Sequence, residues 1–417
     1  MASIVTDVPE SVGMSKPRLA RIRPVMQDYV EHHGYAGIST MIARRGKVIH
    51  AEQVGWQDRE AGVPMAEDTI FRIYSMTKPV IYTALMTLYE EGRFQLADPV
   101  AKFMPAFGTT KVLAGDGSLG DQNPLRPMQV RDLMTHTSGL TYDFLEDFPV
   151  GVQYRDARLM NDPTRSLGSV IAELARLPLA FQPGTMWHYS LGTDVAAHLI
   201  EVISGKPLGQ FLHERLFEPL GMVDTAFEVP QTKRHRLSAM YGLPDLFAPG
   251  MTFGALFGHF MSGNIGRREV QDTYPVDAPD VFQRGGIGLF ATAEDYLRFA
   301  MMLLHGRAGD GTRILGRKTL ELMHTNHLPA DLLPFMLAGA PTAPGYGFGL
   351  GSRVAMDVGA TAVSGSVGEF GWAGAAKTYF WVDPVEEMVG LFMSQFMIAF
   401  DNPQNDLRAL AYQAIDD

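Results

Sequence analysis

Residues 73–92, IYSMTKPVIYTALMTLYEEG, have the clearest potential for covalent chemistry. The apolar residues of this segment recur at helical spacing, Pro79 suits only a first helical turn, and Gly92 suits a helix end. Ser75 is therefore predicted at the N-terminus of a helix. Lys78, three residues later, lies on the same helix face, within reach of the Ser75 hydroxyl.

This spacing suggests an activated serine. The partial positive charge of a helix N-terminus and apolar surroundings both oppose protonation of Lys78. A neutral amine can accept the proton of the Ser75 hydroxyl and so produce a nucleophile. Taken alone, the same four residues also fit a serine that caps a helix, followed by a solvated lysine.

A second candidate segment is FQPGTMWHYSLGTDVAAHLIEVISG. Tyr189 is predicted in a turn just before a helix that Thr193 or Asp194 could cap, so that its phenol can project into a cleft. A tyrosine can transfer protons when a nearby cation stabilises the phenolate, and Lys78 could supply that charge. The alternative is an ordinary packing aromatic.

A third segment is GEFGWAGAAKTYFWVD. The small residues Gly371, Ala373, Gly374 and Ala375 allow a backbone N–H to approach a substrate carbonyl, as an oxyanion hole requires, with the Ser75 N–H as a second donor. A glycine-rich turn before a strand is the simpler interpretation.

In this order, SMTK, YSL and WAG resemble the S-x-x-K, Y-x-N and K-T-G elements of serine β-lactamases and penicillin-binding proteins. Trp372-Ala373-Gly374 and Tyr189-Ser190-Leu191 are most similar to the family VIII carboxylesterases, which share the fold of class C β-lactamases. The phrases DLMTHTSGL, GGIGLFATAEDYLRF and TYFWVDP extend the resemblance over nearly the whole chain.

The resemblance implies a role for each matching residue. Ser75 would be the nucleophile, Lys78 its activator and Tyr189 the general base and later acid. The N–H groups of Ser75 and Ala375 would bind the oxyanion, and Trp372 would form a wall of the acyl pocket.

Further substrate-binding residues are expected next to these elements. Gly374 belongs to the third segment. Tyr142, Phe144 and Phe148, in the stretch after HTSGL, are candidates for the lining of the acyl pocket, although aromatic residues more often belong to the core.

WAG and YSL differ from K-T-G and Y-x-N in residues that would bind polar groups of the substrate. The third segment lacks the lysine that would recognise a carboxylate, and the second lacks an amide donor. Without a fixed cation there, we expect uncharged esters with short or apolar acyl groups. Acyl transfer to an alcohol, weak β-lactamase or amidase activity, and a non-catalytic acyl-binding sensor remain alternatives.

Two other patterns are weaker. No G-x-S-x-G serine accompanies His136 of MTHTSGL, so we expect this residue to fix the cleft rather than act as a base. Lys377-Thr378-Tyr379 imitates K-T-G but lacks its glycine, and is expected at the start of a strand.

Composition narrows the class of protein. The 417 residues contain no cysteine and carry a net charge of −11, so thiol chemistry is excluded and nucleic acid is not an expected partner. No membrane-length apolar run or signal peptide is recognised, which favours the cytoplasm. No metal-ligand spacing or cofactor motif is recognised either, and the partner that the resemblance implies is a small-molecule ester.

Both ends of the chain predict parts of one domain. A helix over residues 16–33, with a bend expected at Pro24, precedes a hairpin around Arg45. A second hairpin precedes a helix over residues 403–415. We therefore expect an α/β fold of the α+β type, with an antiparallel sheet flanked by helices. Residues 1–99 and 286–417 would form this domain, residues 100–285 a mainly helical one, and the site would lie in the cleft between them.

Overall fold

The computed structural model describes residues 5–113, 122–277, 280–337, 340–342 and 344–417. The strands are β1 Gly37–Arg44, β2 Lys47–Asp58, β3 Val63–Pro64, β4 Ile70–Arg72, β5 Met240–Gly242, β6 Gly266–Arg268, β7 Phe290–Thr292, β8 Met336–Leu337, β9 Ala340–Pro341, β10 Tyr346–Phe348, β11 Arg353–Ala355, β12 Phe370–Gly374, β13 Thr378–Asp383, β14 Met388–Ser394 and β15 Phe396–Met397. The α-helices are α1 Lys16–Leu19, α2 Ile22–His32, α3 Thr77–Glu90, α4 Val130–Met134, α5 Val150–Asp156, α6 Leu167–Leu174, α7 Gly192–Ser204, α8 Leu208–Leu212, α9 Glu218–Leu220, α10 Phe253–Met261, α11 Ala293–His305, α12 Arg317–Met323, α13 Val358–Thr361 and α14 Pro403–Tyr412.

The main sheet contains eight antiparallel strands in the order β10-β11-β12-β13-β14-β1-β2-β3. The two terminal hairpins meet where β1 pairs with β14, in a register that sets Met41 opposite Leu391. The predicted antiparallel sheet built from both ends of the chain is therefore confirmed. The boundaries at residues 99 and 285 stay predictions.

Helices cover both faces of the sheet. The helix α11 packs on β1, β13 and β14 from one side, while α2 and α14 lie on the other. All residues of β13 and β14 are buried, which explains why these strands are nearly continuous apolar runs rather than alternating ones.

The N-terminal helix is interrupted, but not where the sequence suggested. Helix α1 ends at Leu19 and α2 begins at Ile22, so the break precedes Pro24. Pro24 lies in the first turn of α2, where its missing N–H is not needed for an intrahelical bond. The predicted bend at Pro24 was therefore wrong.

The middle of the chain surrounds a buried helix. All residues of α3 from Thr77 to Leu88 are buried, as expected for a helix that packs on every side. Helix α7 packs against α3. Two small sheets have the orders β4-β7 and β15-β5-β6. No helix among the described residues is long and apolar enough to cross a membrane.

Candidate active site

Ser75 lies where the chain enters α3. A short 3₁₀ helix, Tyr74–Met76, leads directly into α3 at Thr77. Tyr74 has a positive φ of 45° although it is not glycine, and its buried ring packs against Phe247 and Tyr274. A conformation of this kind costs on the order of 1–3 kcal/mol and persists only where packing enforces it. The packing around Tyr74 thus fixes the residue next to Ser75.

Lys78 is placed as the spacing predicted. Its Nζ donates to the Ser75 Oγ at 3.2 Å and to the Gly286 carbonyl at 2.8 Å, and the side chain is buried. Burial lowers the pKa of Lys78 to about 7, against an opposing effect of the Asp194 carboxylate. A substantial neutral fraction is therefore present near neutral pH, as a proton acceptor requires.

Tyr189 converges on the same two side chains. It follows a turn and precedes α7, and Lys78 Nζ lies 4.5 Å from the centre of its ring. Burial raises the pKa of Tyr189, whereas hydrogen bonding to Ser75 and to Trp372 lowers it. The hydroxyl, the amine and the phenol that the sequence analysis selected thus share one pocket.

The predicted helix cap beside Tyr189 was wrong. Helix α7 begins at Gly192, which leaves Thr193 and Asp194 inside its first turn. The Thr193 hydroxyl instead exchanges a hydrogen bond with Tyr82. Asp194 accepts from the Gly286 N–H at 3.2 Å, so its carboxylate faces the site rather than the helix end.

Asp194, Tyr142 and Lys78 converge on Gly286. A Cβ at this glycine would lie 2.7 Å from the Tyr142 hydroxyl, 2.8 Å from Asp194 Oδ2 and 3.5 Å from Lys78 Nζ. Burial raises the pKa of Asp194, and the positive charge of Lys78 is the largest of the effects that lower it. Asp194 Oδ2 and the Tyr142 hydroxyl have no hydrogen-bond partner within the described part of the chain. Asp194 was considered from sequence only as a cap, so its charge next to Lys78 was missed.

The third segment packs directly on the serine loop. A Cβ at Gly374 would lie 2.4 Å from the Ile73 carbonyl, which accepts from the Thr378 hydroxyl at 3.2 Å. Close approach therefore requires glycine here. Ala375 lies just beyond β12 and lines the cavity together with Ser75. The oxyanion role of the Ser75 and Ala375 N–H groups stays a prediction that this proximity supports.

A cavity of about 380 Å³ opens at Ser75. Tyr142, Phe144, Trp372 and Gly374 line it, as the sequence analysis suggested for the substrate-binding region. Most of the remaining lining is apolar and comes from the following residues: Leu145, Leu246, Phe247, Phe253, Phe335, Leu337, Ala373 and Ile398.

Three aspects of the cavity differ from expectation. Phe148 does not line it and packs instead against Phe181 and His188. Leu246, Phe247 and Phe253, the last at the start of α10, come from a stretch whose course the sequence did not reveal. The expectation that no fixed cation lies near the third segment was wrong, because Arg353 lines the cavity from β11, beside β12.

His136 and Lys377, the two weaker candidates from the sequence, both have structural rather than catalytic positions. His136 is buried with its Nδ1 3.3 Å from the Ser190 hydroxyl, and its ring lies 4.9 Å from that of Tyr189. Burial keeps the pKa of His136 well below its ordinary value, so a neutral ring supports Tyr189. Lys377 precedes β13, and its Nζ donates to the Asp401 carbonyl.

A serine in contact with a buried lysine and close to a tyrosine, beside an antiparallel sheet and an apolar cavity, defines a serine hydrolase of the β-lactamase and transpeptidase fold. The Beta-lactamase family matches residues 22–413. The chain belongs to this family and is an enzyme. No cluster of side chains suited to hold a metal ion occurs in the ranges that the structure describes.

Individual relatives of the chain include esterases of the same family. Esterase EstB of Burkholderia gladioli is 30% identical over 386 residues, which cover 87% of this chain and 87% of EstB. The structure of EstCE1, a hydrolase with promiscuous acyltransferase activity, has a TM-score of 0.77 and 26% identity, and the match covers 95% of this chain and 99% of EstCE1. A family VIII carboxylesterase structure shares the fold, with a TM-score of 0.70 at 18% identity and coverage of 96% and 99%. The resemblance to family VIII carboxylesterases is thereby confirmed.

Proposed function

We propose that the protein is a carboxylesterase that hydrolyses esters with short or apolar acyl groups through an acyl-enzyme on Ser75. The observation that carries the proposal is the 3.2 Å contact between Ser75 Oγ and the Nζ of Lys78, whose pKa burial lowers to about 7. The esterases among the relatives support the same reaction class.

In the acylation step, neutral Lys78 accepts the Ser75 proton as Oγ bonds to the ester carbonyl carbon. The electron pair of the carbonyl moves to its oxygen, and the N–H groups of Ser75 and Ala375 stabilise the resulting oxyanion. The oxyanion then collapses, the bond to the leaving oxygen breaks, and the alcohol departs with a proton delivered through Tyr189.

Deacylation runs the same sequence with water as nucleophile. Tyr189, close to both Ser75 and Lys78, accepts a proton from water as it passes its own phenol proton to neutral Lys78, and the water oxygen bonds to the acyl carbon. The Ser75 oxygen leaves and regains a proton from Lys78 or Tyr189, which restores the free enzyme and releases the acid.

The cavity accounts for the choice of substrate. Its lining is dominated by aromatic and aliphatic side chains, and Trp372 stands where β-lactamase-like sequences carry a lysine. Burial of apolar acyl carbons contributes roughly 0.8 kcal/mol per methylene. Neutral apolar groups beside the ester bond are therefore favoured.

Replacement of the nucleophile tests the mechanism. Ser75→Ala should abolish 4-nitrophenyl butyrate turnover without loss of folding, and a fluorophosphonate probe should label the wild type once, at Ser75. A matched control is Ser238→Ala, which removes another buried serine whose hydroxyl donates to the Gln57 carbonyl. Retained turnover in Ser75→Ala, or labelling at a different residue, would rule out the proposal.

Acyl transfer to an alcohol is a second candidate, favoured by the apolar lining of the cavity and by the activity named for EstCE1. An alcohol that binds in a cavity of this kind competes with water for the same acyl-enzyme. Product analysis with added butanol separates the two reactions, because transfer yields butyl ester whereas hydrolysis yields free acid alone.

A further inference from the structure

The cavity at Ser75 contains a cation that the proposed reaction does not use. Among the described residues that line it, Arg353 alone carries a formal charge. A charge beside apolar side chains is costly unless it is paired or hydrogen-bonded. The partners of Arg353 therefore indicate whether its charge is already neutralised.

Two aromatic rings and one hydroxyl hold the guanidinium group. The Cζ of Arg353 lies 4.5 Å from the ring centre of Tyr346 and 5.1 Å from that of Tyr379, and an Nη2 proton is donated to the Tyr379 hydroxyl. Register sets Arg353 opposite Gly371, directly beside Trp372 in β12. The group is thus fixed in orientation, while its side chain keeps 20% of its surface exposed.

The nearest carboxylate is shared with a second arginine. Glu369 Oε1 lies 4.0 Å from Arg353 Nη2, beyond hydrogen-bonding distance, while Glu369 Oε2 accepts from Arg408 at 2.5 Å and from Tyr412 at 3.1 Å. The single Tyr412 hydroxyl proton is shared between Glu369 and the nearer Asp383, at 2.7 Å, whose other oxygen accepts from backbone N–H groups. Glu369 therefore pairs with Arg408, and Arg353 makes no hydrogen bond to a carboxylate among the described residues.

The hydrogen bonding of Arg353 is also incomplete. Its Nε is buried and lacks a partner within the described residues. Buried polar groups without partners are rare in folded proteins and often mark a place that a ligand or water fills. A carboxylate is the acceptor whose geometry matches a guanidinium edge.

We propose that Arg353 binds a carboxylate at the end of the substrate remote from the ester bond, so that half-esters of dicarboxylic acids, with an apolar chain between the two ends, are preferred. This inference rests on the proposed esterase function and adds the substrate class. The apolar lining holds the chain, and Arg353 selects for a charged terminus over a neutral one.

Monomethyl suberate and dimethyl suberate provide a matched test, since they have the same chain and differ in one charge. Wild-type enzyme should hydrolyse the monoester with a KM about tenfold or more below that of the diester, as a charge-assisted hydrogen bond implies. Arg353→Met should remove this preference by raising KM for the monoester alone. Arg353→Lys, which keeps the charge, should retain part of it. Arg317→Met, at an exposed position outside the cavity, should change nothing.

Binding to Ser75→Ala protein separates this proposal from the esterase proposal. Calorimetric titration there requires no turnover, and the monoester should bind about tenfold more tightly than the diester. Discrimination in binding without hydrolysis by the wild type would support the carboxylate site and contradict the esterase. Equal binding of both compounds, or an equal effect of Arg353→Met on both, would overturn the role of Arg353 and indicate a structural residue.

Discussion

Asp194 sets the working pH of the proposed base. Its carboxylate opposes the fall in the pKa of Lys78 that burial causes. Asp194→Asn removes the charge but can keep an oxygen for the Gly286 N–H. We therefore expect the acidic limb of kcat/KM, which reports protonation of Lys78 in the free enzyme, to move to lower pH in this variant.

The size of the shift follows from the geometry. The Asp194 carboxylate and Lys78 Nζ both lie beside Gly286, and an opposite charge at roughly 4–6 Å changes a pKa by about one to three. A limb near pH 7 in the wild type should therefore fall to about 6 or lower. Activity near pH 5.5, relative to the plateau, should rise about eight- to thirtyfold, because a fall of about one to three in the pKa raises the neutral fraction of Lys78 at that pH by about these factors.

The direction of the pH shift follows from the protonation state in which Lys78 acts. Lys78 acts when neutral, so activity is lost as pH falls through its pKa, and a lower pKa extends activity toward acid. Profiles of kcat/KM for 4-nitrophenyl butyrate between about pH 5 and 9 would show this, with thermal unfolding as a check of folding.

Asp295→Asn is the matched control. Burial raises the pKa of Asp295 to about 6, and its carboxylate accepts from the Asp224 N–H and the Thr225 hydroxyl rather than facing Lys78. The acidic limb of kcat/KM in Asp295→Asn should coincide with that of the wild type. An unmoved or more alkaline limb in Asp194→Asn would refute either the electrostatic link to Lys78 or the role of Lys78 as base.

Two further variants test the roles of the site residues. Lys78→Met should be inactive but should raise the free energy of unfolding by about 1–3 kcal/mol near pH 7, because the pKa of Lys78 is about 7 in the folded protein and 10.5 ordinarily. Denaturant titrations should show that this gain in stability shrinks toward pH 10. A variant less stable than the wild type would contradict the prediction. Tyr189→Phe keeps the ring packing against His136 and Trp372 and should lower kcat/KM about 10²- to 10⁴-fold; steady-state kinetics that show less than a tenfold loss would exclude the phenol from proton transfer.

The sequence predicted the parts of the site that depend on local periodicity. Lys78 follows Ser75 by three residues, and the helical pattern of α3 alone sets them on one face. The apolar runs of β13 and β14 likewise identified the strands of the buried sheet. The convergence of Tyr189 on the same pocket came from the family resemblance, because no local pattern links residues more than a hundred positions apart.

The remaining features depend on tertiary contacts. Asp194 has the sequence signature of a helix cap, and only the approach of Gly286 turns its carboxylate toward Lys78. Arg353 lies in the short strand β11, for which the sequence analysis made no prediction. Arg353 reaches the cavity because β11 pairs with β12 in a register that sets Arg353 opposite Gly371. Composition does not reveal this register.

The substrate inference and the proposed mechanism make opposite demands on the cavity, and Lys78 and Arg353 have different neighbours in it. Lys78 needs apolar surroundings because burial is what lowers its pKa, so a second cation beside it would be superfluous for catalysis. Arg353 instead lies among Tyr346, Tyr379 and Glu369, where it can remain charged. Trp372 occupies the motif position at which a lysine would otherwise stand. The loss of a cation in the third segment and the presence of one on the neighbouring strand thus allow recognition of a charged terminus without a charge next to the reacting ester.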